Sequence, residues 1–62
     1  MKFYMILKRK NGVEFDYYIM KHVEGEKRDV VVHVIPESRS EEAISKLKMY
    51  HKKYVEPFKE NE

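Results

Sequence analysis

Lys8-Arg9-Lys10 abuts Asn11-Gly12 between two hydrophobic runs. Three successive cations at a chain reversal are the residue type that displaces counterions from a phosphate backbone. Alternation along a strand, however, sends Arg9 to one face and Lys8 and Lys10 to the other. The three cannot form one flat patch, so they read first as a soluble hairpin tip that discourages edge pairing. A second basic set, Lys46, Lys48, Lys52 and Lys53, has a local explanation. Glu42 stands four residues before Lys46 in the favourable ion-pair order, and Lys52 and Lys53 fall where a helix dipole prefers cations. Lys8, Arg9, Lys10, Lys46, Lys52 and Lys53 make up the candidate nucleic-acid contact, which is the alternative function.

The three histidines lack the spacing of chelating neighbours: His22 and His33 are far apart along paired strands and His51 is on the helix. His22 opposite Asp29 reads as a surface pair, and His51 as a core-edge histidine. Ser38, Ser40 and Ser45 suit caps and helix surface better than nucleophiles. Of the five tyrosines, Tyr4, Tyr17, Tyr50 and Tyr54 are expected between sheet and helix, leaving only Tyr18 as a platform for a stacked base. No catalytic residue, cofactor or metal is expected.

The balance of 13 Lys+Arg against 11 Asp+Glu, a formal charge of +2, permits nucleic acid without implying it. A 62-residue chain buries only about 60% of the surface it exposes when unfolded. It has no cysteine, so packing or oligomerisation must supply what disulfides supply to other mini-proteins. The apolar run Phe3 to Leu7 is shorter than a signal-peptide core and meets cations at once. No segment is long enough to span a membrane. The expected location is cytoplasmic.

Phe3, Met5 and Leu7 alternate with Tyr4, Ile6 and Lys8, and Val13 to Val23 alternates again, so both runs read as strands. Asn11-Gly12 predicts a type I′ hairpin turn. Lys10 then lies opposite Val13, Leu7 opposite Asp16, Met5 opposite Tyr18 and Tyr4 opposite Ile19. "VVVHVI", ended by Pro36, predicts a third strand. A turn centred on Gly25 and Glu26 would set Ile19 against Val32 and Tyr17 against Val34. Ser38 or Ser40 as N-cap, acidic Glu41 and Glu42, basic Lys52 and Lys53, and Pro57 bound one amphipathic helix. Its apolar side gathers Ala43, Ile44, Leu47, Tyr50, His51, Tyr54 and Val55.

The expected fold is α+β: a three-stranded antiparallel meander with one C-terminal helix on one face, βββα. It spans residues 1–58 as a single domain, with 59–62 a frayed tail. In element order alone this is similar to the DNA-binding domains of plant ethylene-response factors and the arm-binding domains of some integrases, a likeness of topology rather than motif. That likeness implies a sheet entering the major groove, yet here Glu14, Asp16 and Asp29 stand on the free face. In the predicted register the helix covers Tyr4, Ile6, Val13, Phe15, Tyr17, Ile19, Val30, Val32 and Val34. The other face keeps an apolar surface of Phe3, Met5, Leu7, Tyr18, Met20 and Val31, with Ile35 on the same side, and such a patch marks a contact surface. The expected function is therefore a small non-enzymatic interaction module, contacting itself as a homodimer or a protein partner through that face.

Overall fold

The two alternating runs and the β-branched run each become a strand, because their side chains can be divided between two faces of a pleated surface. The computed structural model describes residues 1–56. β1 (Lys2–Asn11), β2 (Glu14–His22) and β3 (Val30–Pro36) form an antiparallel sheet in the order β1-β2-β3. A short 3-10 turn, Glu37–Arg39, leads into α1 (Ser40–Tyr50), whose last turn widens over His51–Val55. The fold is βββα, a sheet with one helix on one face. Among the described residues no helix is long and apolar enough to cross a membrane. The stop at Pro57 and the tail at 59–62 lie outside the described residues.

The first hairpin departs from the predicted register by one residue. Asn11 does not take the positive φ that a type I′ turn requires of it; Gly12 alone does, at 66°. The N–H of Val13 donates to the carbonyl of Asn11 at 2.5 Å, so the reversal is the tighter three-residue kind. Asn11 pairs with Glu14, and a bulge follows between Asn11 and Arg9. Beyond it Arg9 meets Phe15, Leu7 meets Tyr17, Met5 meets Ile19 and Tyr4 meets Met20. One residue of slip turns every β1 side chain to the opposite face.

Burial explains why the slipped register wins. The predicted one would carry Tyr4, Ile6 and then Lys8 and Lys10 toward the helix; the observed one carries Phe3, Met5 and Leu7, which have no polar atom to desolvate. Fully burying a side chain such as Phe3 is worth roughly 1.5–3 kcal/mol, enough to offset one unpaired residue at the bulge. Phe3 is accordingly buried, and Met5 packs at the margin of the core. Phe3, Met5 and Leu7, expected on the free face, therefore belong to the helix side. Tyr4 and Ile6 belong to the free one.

At the second turn Glu26 N–H donates to the Val23 carbonyl at 3.0 Å, with Gly25 at φ 93°. The turn is thus centred on Glu24 and Gly25 rather than Gly25 and Glu26, with glycine where a type II turn needs positive φ. Next to it Met20 meets Val31 and Lys21 meets Val30. A second bulge then sets Ile19 against His33 and Tyr17 against Ile35. Val32 is the extra residue. β3 therefore keeps the predicted faces before the bulge and reverses them after it: Ile35 goes under the helix and Val34 to the free side.

The core joins Ile19, Ile35 and Ala43, with Met5, Tyr17, Val32, Leu47 and Tyr50 packed around them. Ala43, Leu47 and Tyr50 follow helical spacing and form a narrower stripe than the sequence pattern predicts; Ile44 is left 45% exposed. Neither Ser38 nor Ser40 caps the helix. Arg39 holds the cap position without a side-chain hydrogen bond, and its Nε lies 3.4 Å from Glu42 Oε2. At the far end the N–H of Glu56 donates to the carbonyl of His51, five residues back. In this widened turn His51 Nε2 donates to the Phe3 carbonyl at 2.9 Å, which ties the end of the helical segment to the start of β1.

Candidate functional site: the uncovered face of the sheet

The registers, with alternation along each strand, arrange the uncovered face as rows crossing the three strands. Tyr4, Met20 and Val31 make one row, and Ile6, Tyr18 and Val34 make the next. Lys8, Asp16 and Pro36 bound this block on the hairpin side, and Lys2 with His22 bound it on the other. Six apolar or aromatic side chains thus lie contiguous between two polar rows. Ile6, Val31 and Val34 are 37%, 43% and 45% exposed, while Tyr18, Met20 and Tyr4 are half-buried by their neighbours.

The polar row at the loop end is closed on itself. Tyr4 donates its hydroxyl hydrogen to Asp29 Oδ2, and Asp29 Oδ1 lies 2.7 Å from His22 Nδ1. These bonds hold the Asp29 carboxyl below its ordinary range, first through the Tyr4 hydroxyl and then through His22. The same contact raises the Tyr4 phenol, because its proton is held by the carboxylate and ionisation would place two anions together. A His–Asp pair supplies two of the three members of a nucleophilic triad. No serine stands beside it: Ser38 and Ser40 follow Pro36 at the other end of the sheet, and Ser45 is on α1. Among the described residues no three His, Asp or Glu side chains converge as metal ligands.

The structure divides the other candidates. Tyr18, Met20 and Val31 lie together on the uncovered face as expected; Phe3, Met5 and Leu7 do not join them, Leu7 remaining 49% exposed at the rim of the helix side. Lys8 and Arg9 part to opposite faces. Lys8 Nζ sits 5.4 Å from the centre of the Tyr18 ring, and Arg9 Cζ sits 5.6 Å from that of Phe15. Lys10 is at the bulge. Lys46 is half-buried and Lys52 exposed, while Lys53 lies over the Tyr54 ring at 5.3 Å. Tyr50 and Tyr54 gather about Phe3, with ring centres 5.2 and 5.9 Å from it.

Tyr4, Ile6 and Val34 are the members of the face that sequence reasoning missed. The signal for the first two was the run Phe3, Met5, Leu7, an unbroken alternate set of purely apolar residues, which marks the side of β1 with most to gain from burial. Val34 had no such signal, because its side depends on the bulge at Val32. Comparison with family models, with curated proteins and with solved structures finds no match to the chain.

Proposed function

We propose that this chain is a small non-enzymatic interaction module that contacts protein, itself or another, through the uncovered face of its sheet. The observation that carries the reading is the block of Tyr4, Met20, Val31, Ile6, Tyr18 and Val34 left open between two polar rows. An apolar centre with a polar rim is the anatomy of a protein contact, and contiguous apolar surface on a free protein marks such sites.

Strand addition at the edges is less favoured. β1 is interrupted by the bulge at Lys10 and carries Lys8-Arg9-Lys10; β3 is interrupted at Val32 and ends in Pro36. Bulges, cations and proline are the devices that keep edges from pairing. The face is left as the route. Nucleic-acid contact through Lys8, Arg9, Lys10, Lys46, Lys52 and Lys53 is the runner-up, and the parting of Lys8 from Arg9 weighs against it.

Sedimentation velocity from micromolar to millimolar concentration tests the proposal on the intact chain, on Met20→Lys and on Met49→Lys, the last on the exposed side of α1. The expected result is an assembly that Met20→Lys dissociates and Met49→Lys leaves alone. A monomer throughout would remove self-contact and leave a foreign protein as the occupant. An assembly that responds equally to both substitutions would exclude the face.

A further inference from the structure

We infer that the occupant of the uncovered face is a second copy of this chain, packed sheet to sheet across a twofold axis that runs along β2. The inference rests on the reading of that face as a contact surface and names its partner and geometry.

The need for a second copy follows from the size of the core. Among the described residues only Phe3, Ile19, Ile35 and Ala43 are buried apolar side chains, and there is no disulfide. Chains of this length without such a staple draw on oligomerisation or unusually good packing. A face-to-face pairing would add the block of Tyr4, Ile6, Tyr18, Met20, Val31 and Val34 to that small core.

The axis follows from the shapes of the rows. β1 contributes the large Tyr4 and Ile6, β2 contributes Tyr18 and Met20, and β3 contributes the small Val31 and Val34. A twofold along β2 lays β1 of one copy over β3 of the other, so Tyr4 meets Val31 and Ile6 meets Val34 of the second copy. Tyr18 and Met20 then meet their own counterparts on the axis, as a closed symmetric contact requires. At both margins large side chains face small ones, which two facing sheets need in order to interdigitate at native density. A twofold across the strands would instead set Tyr4 over Ile6 and Val31 over Val34, crowding one margin and leaving a gap at the other.

Charge agrees at the loop end. The axis along β2 brings Lys2 over Asp29 of the second copy, whereas the axis across the strands would bring Lys2 over Lys8. Asp16 and His22 do fall on the proposed axis, but Asp16 is buried in its own chain, in the same row as Lys8, and His22 is bonded to Asp29. The Tyr4–Asp29–His22 cluster further favours closure, because polar groups already bonded to each other cost less to cover.

The chain has no cysteine, so single introduced thiols report the geometry. Facing sheets stand about 10 Å apart, too far for a direct disulfide, and a short bis-maleimide is the appropriate probe. Met20→Cys should cross-link to itself. A mixture of Ile6→Cys and Val34→Cys chains should cross-link in higher yield than either alone, with circular dichroism confirming that each variant folds. A dimer in which Ile6→Cys alone cross-links as well as the mixture would overturn the axis while sparing the face. A chain that sediments as a monomer at all concentrations would overturn the second copy itself.

Discussion

The ring of Phe3 lies stacked on that of Tyr50, their centroids 5.2 Å apart and their planes within 13°. This pair decides which side of β1 is inside. Because Phe3 goes under the helical segment, Tyr4 must go to the free face, where its hydroxyl finds Asp29. The position of the helix thereby sets the composition of the surface on the other side of the sheet.

Phe3→Ala should therefore cost about 3 kcal/mol or more, the usual range for truncating a buried Phe. Val31→Ala, on the free face, should cost far less in a monomeric background such as Met20→Lys. Urea denaturation of the variants measures both. Near-equal losses would mean that β1 is not seated as described.

Gly12→Ala should destabilise by roughly 1 kcal/mol, since Gly12 alone takes positive φ in the hairpin turn. Asn11→Ala should change stability by no more than ~0.5 kcal/mol. A type I′ turn would make both substitutions costly, so thermal denaturation of the two variants separates the two turn geometries.

The Tyr4–Asp29–His22 cluster sets two limits on pH. Asp29 has a folded pKa below its ordinary value of 3.8, so its stabilisation is complete above that value and is lost as pH falls through the lower folded one. Tyr4 has a folded pKa above its ordinary 10.0, so its stabilisation is complete below that pH and is lost as pH rises through the higher folded one. Titration of the Tyr4 ring by carbon NMR should give a midpoint above 10.0 that Asp29→Asn moves back toward the ordinary value. A midpoint indifferent to Asp29→Asn would show that the bond does not persist in solution.

Duplex DNA and single-stranded RNA should bind no more tightly than about 10⁻⁴ M at physiological salt, with a shallow salt slope. The cations that would grip phosphate are divided between faces and partly laid over aromatic rings. Micromolar binding that Lys8→Ala and Arg9→Ala each weaken, with the slope falling by roughly one unit per lost contact, would promote the runner-up function.

The order of elements, the helix with its Ala43, Leu47 and Tyr50 stripe, and the separation of Lys8 from Arg9 were all legible in the amino-acid sequence. Each depends on periods of 2 or 3.6 residues, which are local properties of the backbone. The sides of β2 were legible too, because Tyr17 and Ile19 alternate against Asp16 and His22 within one strand. What only the tertiary structure decided was how the strands slide past one another. Asn11-Gly12 announced a turn, but whether Lys10 pairs or bulges depends on which half of β1 gains more by burial against Tyr50 and Ile19, residues 40 or more positions away in one case and across the sheet in the other. One extra residue at Lys10 exchanged Phe3, Met5 and Leu7 for Tyr4 and Ile6 on the free face, and one at Val32 brought Val34 beside them. Alternation has a period of two, so an inserted residue reverses everything beyond it, and no local pattern records that choice.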